Sequence, residues 1–339
     1  MTKYFAFLII FTISLCSHAS NDSNFSFDDH PLSSQLNLPD WFKLSFLDLQ
    51  ESLQEANNNQ RGLIIYFERK NCAYCKAQLD INWGASDIVT YTQKHFDVIA
   101  IDVGGQRTVT DFDGNSLSES EFADKMKTNF TPSFLIFDNE GKLALRLYGF
   151  RPPYQFRAAL EYAIDKHYRK ESFKNYLARA ETAMSFGNDE LNENDVFFSY
   201  TQPVNLNRSV KTANKPLAVF FEHPKCHACD VLHAGPMNQN EIIRKLNKMI
   251  VVQIDTTQNY SVVTPDGKQT TAKAWADQLE LNFAPAIIFF DNKGHEIIRI
   301  ESVVKFNRLN NVIQYVLEDG HLSYPTFQRW RERDQNEKR

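Results

Sequence analysis

Four cysteines define the chemistry open to this chain. Cys72 and Cys75 form one Cys-x-x-Cys pair, and Cys226 and Cys229 form a second. Disulfides that staple an exported fold usually join distant segments, because closing a longer loop restricts the unfolded chain more. A two-residue gap closes almost no loop, so these pairs are poor staples and are suited to reversible exchange. A cysteine attacks a disulfide as thiolate, which requires a lowered pKa. A helix N-terminus supplies this through its unpaired N–H groups and the positive end of its dipole. The i, i+3 spacing then brings the second cysteine over the same turn. From there it can attack a mixed disulfide and free the substrate. On this reading Cys72 and Cys226 are nucleophiles, and Cys75 and Cys229 are resolving thiols.

The elements that must position these pairs are written twice. Leu63-Ile64-Ile65-Tyr66-Phe67-Glu68 precedes Cys72, as Leu217-Ala218-Val219-Phe220-Phe221-Glu222 precedes Cys226, at an offset of 154 residues. Val98–Asp102 matches Val251–Asp255, Asp113-Gly114 matches Asp266-Gly267, and Asn129-Phe130-Thr131-Pro132 matches Asn282-Phe283-Ala284-Pro285. Such order and spacing mark an internal duplication. The short apolar runs are too short for helices and read as buried strands. The stretch from Cys75 to Ile81 reads as an amphipathic helix. Asp113-Gly114 predicts a hairpin turn, and Ser118-x-x-Glu121 has capping-box spacing. Each unit therefore reads β-α-β-α-β-β-α, a central mixed sheet flanked by helices. Pro132 and Pro285 stand before a strand, where an X-Pro bond can be cis. A cis bond there turns the backbone of Thr131 or Ala284 toward the nucleophile as a platform for an extended substrate.

The chain has 339 residues and a formal net charge of −5, with both signs mixed. Nothing in that balance points to nucleic acid. Met1 to Ala19, with Lys3, an apolar core to about Cys16 and the small-x-small ending Ser17-His18-Ala19, reads as a secretory signal peptide. The run is too short for the roughly 20 residues of a bilayer span. This predicts an exported, periplasmic protein without stable membrane insertion. Residues 20–40 read as a flexible lead, 41–182 as the first domain, 183–196 as a linker, 197–333 as the second domain and 334–339 as a polar tail.

Each half resembles the thioredoxin superfamily, and in particular the exported thioredoxin-like proteins of the SoxW type. The residues carrying the likeness are Tyr66-Phe67-Glu68-x-x-x-Cys72-Ala73-Tyr74-Cys75, Phe130-Thr131-Pro132-Ser133 and Gly141-x-x-x-x-Arg146-x-x-Gly149, with the inserted Asp113-Gly114 hairpin and Phe173. It spans residues 42–180 and, more weakly, 197–333. The resemblance implies two tandem thioredoxin-like folds performing dithiol–disulfide exchange without a cofactor other than the redox-active disulfides. It implies that the first cysteine is the nucleophile and the Pro loop the substrate platform. It also tilts the direction toward reduction, with disulfide-containing proteins or thiols as partners and electrons from a membrane donor.

The departures matter. Many members carry a buried acid six residues before the first cysteine, where this chain has Tyr66 and Phe220. Glu68 and Glu222, four residues before, are the candidates to replace it. Ala284 and Ser302 stand where the first copy has Thr131 and Gly149. His227 lies between the thiols of the second pair, where an imidazolium favours the Cys226 thiolate and a more oxidising disulfide. Three alternatives stay open: an oxidase or isomerase built on the same residues, a copper or zinc site using His223, His227 and His233 with the thiolates, and a non-catalytic protein-binding module.

Overall fold

The computed structural model describes residues 27–181, 190–197 and 203–336. The expected signal peptide, the first part of the lead, residues 183–189 of the linker and 337–339 of the tail lie outside the described residues.

In the first unit α1 (Leu49–Asn58) leads to β1 (Gly62–Glu68), α2 (Ala73–Ala77), α3 (Ser86–His95) and β2 (Phe96–Asp102). A hairpin of β3 (Thr108–Thr110) and β4 (Ser116–Ser118) follows. Then come α4 (Glu119–Lys125), β5 (Ser133–Phe137), β6 (Leu143–Tyr148), α5 (Pro153–Ile164) and α6 (Phe173–Glu181). The second unit opens with β7 (Val204–Asn205) and β8 (Leu217–Glu222), then α7 (His227–Ala234), α8 (Asn240–Leu246) and β9 (Ile250–Asp255). It continues through β10 (Ser261–Val263), β11 (Gln269–Thr271), α9 (Ala272–Gln278), β12 (Ala286–Phe290) and β13 (Glu296–Ile300). It closes with α10 (Phe306–Leu317), α11 (Gly320–Ser323) and α12 (Phe327–Asn336).

The two main sheets have equivalent orders, β2-β1-β5-β6 and β9-β8-β12-β13. In each, the first pair is parallel and the other two are antiparallel. All residues of β1 and β8 are buried, as a central strand covered on both faces requires. Their period of two sorts the core. Ile64 and Tyr66 face the layer holding Cys75, Trp83 and Phe156. Leu63, Ile65 and Phe67 face Phe122 and the hairpin side. Ala218 and Phe220, against Val219 and Phe221, repeat the division. The mixed sheet and flanking helices are as the sequence predicts.

Local signals hold where they have a mechanism. Ser118 Oγ accepts from the Glu121 N–H at 3.2 Å, and the Glu121 carboxylate accepts from the Ser118 N–H at 2.7 Å, a complete capping box. The expected helix from Cys75 to Ile81 differs. The α-helical turn ends at Ala77 and widens into a π-turn over Gln78–Asn82. Buried Asn82 there donates to Gln78 Oε1 (2.7 Å) and to the Arg151 carbonyl (3.1 Å), so the widened turn is fixed by buried amide contacts.

The units meet across equivalent residues. Gly149 and Ser302 occupy the same repeat position, and a Cβ on Gly149 would lie 2.1 Å from Ser302 Oγ. Gly149 also has φ +78°, so glycine is required on both counts. One residue on, the Val303 N–H donates to the Phe150 carbonyl at 3.2 Å. Contact between equivalent positions is the signature of a local two-fold relation. Phe130 of the first unit accordingly enters the core of the second, beside Val304 and Phe327. In return Arg151 Nη2 donates to Asn282 Oδ1 (2.8 Å), and its guanidinium lies over Phe283.

Candidate functional site

Cys72 is the N-cap of α2, and its Sγ accepts from the Cys75 N–H at 3.0 Å. Cys226 caps α7 in the same way, with the Cys229 N–H at 3.1 Å. Both pairs are disulfides with Cα–Cα distances of 5.2 Å. Cys75 and Cys229 are fully buried, Cys72 is half-buried, and Cys226 is only 6% exposed. An N–H aimed at the first sulfur favours its thiolate once the bond is reduced.

The proline loops lie where the sequence expects them. Thr131–Pro132 and Ala284–Pro285 are both cis. Cys72 Sγ is 3.3 Å from Thr131 Oγ1 and 3.7 Å from the Thr131 carbonyl oxygen. Ala284 offers no hydroxyl at the corresponding place. Pro132 O accepts from the Gly149 N–H at 2.8 Å, which ties the loop to the end of β6.

Glu68 and Glu222 are buried rather than solvated strand ends. Burial, with Asp102 and Glu119 close by, raises the Glu68 pKa to about 8. Glu222 has a different setting: it accepts from Gln253 Nε2 at 2.8 Å and pairs with His233 Nε2 at 3.0 and 3.1 Å. Tyr66, where the family carries its acid, donates to the Cys75 carbonyl at 3.5 Å. Burial holds its phenol protonated, well above the ordinary range.

The histidines around the second pair separate. His233 turns inward to Glu222, His227 is exposed, and His223 Nδ1 lies 2.6 Å from the Pro224 carbonyl. Among the described residues no group of three or more His, Cys, Asp or Glu side chains is placed to hold a metal ion. Nor is any helix among them long and apolar enough to cross a membrane.

Sequence reasoning missed the residues that cover the first pair. Arg308, on α10, donates from Nη2 to the Thr131 carbonyl at 2.7 Å and stacks its guanidinium 3.4 Å from the Tyr74 ring centroid. One signal for it existed. Position 308 is equivalent to Gln155, and the repeat places a cation there in the second copy only. Phe27 and Asp29, from the stretch read as a flexible lead, pack beside Tyr74. No pattern in the sequence marks them.

Comparison with known proteins fits this geometry. The model of a thioredoxin-like domain matches residues 49–164 and again 207–317, together more than half of the chain. The chain belongs to the thioredoxin-like domain family. Solved structures similar to one thioredoxin-like domain include a thioredoxin-fold protein from Helicobacter pylori, 22% identical over 41% of this chain and 98% of that one, with a TM-score of 0.31. A thioredoxin from Thermus thermophilus is 21% identical over 34% of this chain and 82% of its own, with a TM-score of 0.27. The C-terminal domain of DsbD from Neisseria meningitidis, in the reduced form, is 15% identical over 30% and 81%, with a TM-score of 0.24. No curated protein matches the chain significantly. Two thioredoxin-like domains, each with a Cys-x-x-Cys disulfide, point to thiol–disulfide oxidoreductase chemistry.

Glu68 gives a testable pH dependence. Its folded pKa of about 8 lies above the ordinary 4.5, so the folded state holds the proton more tightly. The resulting stability is full below about pH 4.5 and is lost as pH rises through about 8. Over that window it amounts to a few kcal/mol, on the order of 1.36 kcal/mol per pKa unit. Glu68→Gln should flatten the fall in melting temperature between pH 6 and pH 9. An unchanged slope would remove Glu68 as its source.

Proposed function

We propose that this chain is an exported thiol–disulfide oxidoreductase acting in the periplasm on the reducing side, with two unequal active sites at residues 41–182 and 197–333. The observation that supports it most is Cys72 at a helix N-cap, with the Cys75 N–H on its sulfur and Thr131 beside it. Export rests on the leader from Met1 to Ala19, and the reducing direction on the likeness to SoxW-type proteins.

In the reduced protein the Cys72 thiolate attacks a substrate disulfide. A Cys72–substrate bond forms as the substrate S–S bond breaks, and one substrate sulfur leaves as thiolate. Cys75, deprotonated, then attacks the Cys72 sulfur. The Cys72–Cys75 disulfide forms and the second substrate sulfur is released. Two electrons have passed to the substrate, a disulfide-containing protein or small disulfide that is released as thiols, and a membrane dithiol donor restores the pair. Glu68, buried at the end of β1 with its pKa raised to about 8, is the candidate to move the proton of Cys75 in place of the family's acid. Thr131 and Pro132 form the substrate platform, and Ala284 and Pro285 their counterpart in the second domain. Cys226 and Cys229 repeat the chemistry behind a more closed surface.

The test is a redox titration of each pair alone, in Cys72→Ser and Cys226→Ser proteins, with a disulfide-reduction assay on both. His227, between the second pair's thiols, should make that pair the more oxidising by about 30 mV or more, one tenfold step in equilibrium constant for this two-electron couple. A potential equal to or below that of the first pair would sink the assignment. His227→Ala should bring the two values together.

A further inference from the structure

The segment from Phe27 to Leu32 runs beside Cys72 in an arrangement that its composition does not explain. Phe27 and Asp29 point inward, while Asp28 and His30 are exposed, the alternation of an extended chain lying on a surface. The Phe27 ring meets Tyr74 edge-on at 5.0 Å and Phe150 at 5.4 Å, and the Lys305 ammonium stands 4.7 Å over its face. It joins the apolar cluster of Tyr74, Ala77 and Phe150, against which Cys72 and Val303 also pack.

Asp29 is held by three donors. Its carboxylate accepts from Tyr74 Oη (3.2 Å), Asn307 Nδ2 (3.0 Å) and the Arg308 N–H (3.0 Å). The last two lie in the first turn of the twelve-residue helix α10, whose dipole favours an anion. The Leu32 N–H donates to the carbonyl of Asn71, the residue before Cys72, at 3.1 Å. An aromatic slot, a carboxylate cradle and one main-chain hydrogen bond thus receive an extended peptide next to the nucleophile. The slot takes Tyr74 and Phe150 from the first domain and Lys305, Asn307 and Arg308 from the second, so it exists only while the domains are docked.

We propose that this pocket is a substrate subsite for an extended segment bearing an aromatic residue and, two residues on, a carboxylate, and that Phe27–Asp29 occupies it as a tethered stand-in. The inference rests on the exchange chemistry proposed above for its meaning, though not for its test of binding. Three features argue for recognition rather than packing alone. The side chains that face the pocket are the ones with chemical character, aromatic and acidic. Their partners are matched to them, cation and rings for the ring, three N–H or O–H donors for the carboxylate. The segment also runs past the residue before the nucleophile, with the Leu32 N–H on the Asn71 carbonyl, and shares with Cys72 the cluster of Tyr74, Ala77 and Phe150.

The experiment uses the full chain carrying a protease site inserted after Ser33, cut after folding so that the lead becomes exchangeable. A fluorescent peptide with the sequence of residues 25–32 is added, and anisotropy is followed. Binding to the cut protein should be at least about tenfold tighter than to the uncut one, and a peptide with alanine at the Phe27 and Asp29 positions should not compete. Equal binding of the two peptides, or none to the cut protein, would overturn the proposal. A Phe27→Ala/Asp29→Asn protein provides the second arm. It should reduce a cystine peptide bearing Phe-x-Asp at least about tenfold faster than one bearing Ala-x-Ala, and no preference would count against the subsite. If the labelled peptide binds while no disulfide of any kind is reduced, the oxidoreductase reading fails and the peptide site stands.

Discussion

A Cys72→Ser protein should lose exchange at the first domain to background and keep only the smaller contribution of the second. The expectation rests on geometry at the sulfur. Cys72 is the half-buried member of its pair and Cys75 is fully buried, so an incoming disulfide can reach only Cys72. The Cys75 N–H at 3.0 Å and the positive end of α2 then favour its thiolate. Serine at that position has no comparable nucleophile at neutral pH, and no mixed disulfide can form. Cys75→Ser should behave differently, attacking once and then accumulating a covalent substrate adduct visible by mass spectrometry. Cys226→Ser should cost less, because Cys226 is 6% exposed before any substitution. Differential alkylation of the reduced protein checks the ranking, with Cys72 expected to react at least tenfold faster than Cys226, in line with the dependence of thiol reactivity on access. Equal rates would mean that the closed surface of the second domain opens freely in solution.

Much of this site is legible in the sequence, because it depends on local order. A strand, a Cys-x-x-Cys pair and a helix must follow one another along the chain. The proline loop must precede a strand that pairs antiparallel with β1, and the duplication prints both arrangements twice. What stays hidden depends on which surface is covered by something far away. Glu68 and Glu222 look alike at the ends of their strands, yet one is raised to about 8 by burial and neighbouring acids while the other pairs with His233 and Gln253. Phe27 and Asp29 lie in a stretch rich in polar residues, Asp and Ser among them, whose composition argues for a lead; only the second domain supplies the backbone and amide donors that hold Asp29. Ser302 at the position equivalent to Gly149 reads in sequence only as a departure of the second copy from the first, whereas in the structure these two residues touch.

Arg308→Ala should loosen the two domains by about 2–4 kcal/mol while leaving each domain folded. Arg308 is buried, and burial lowers its pKa, so its charge must be offset by what it touches. Its Nη2 donates to the Thr131 carbonyl at 2.7 Å, and its guanidinium lies 3.4 Å from the Tyr74 centroid. A hydrogen bond from a charged donor contributes about 1.5–3 kcal/mol, and a desolvated cation–ring contact adds up to about 2 kcal/mol. Desolvation of the guanidinium opposes both, which sets the net near the lower part of their sum. Alanine keeps the backbone N–H that Asp29 accepts from, so the lead is not released directly. The Thr131 carbonyl is released, and on the platform role proposed above that is the atom an extended substrate would pair with. Chemical denaturation should therefore change from one transition to two, scattering should report a larger radius, and Cys72 should react severalfold faster with a large protein disulfide while its rate with a small disulfide changes little. A single unfolding transition at the native midpoint, with both rates unchanged, would show that the seam at Gly149, Phe150, Ser302 and Val303 carries the docking without Arg308.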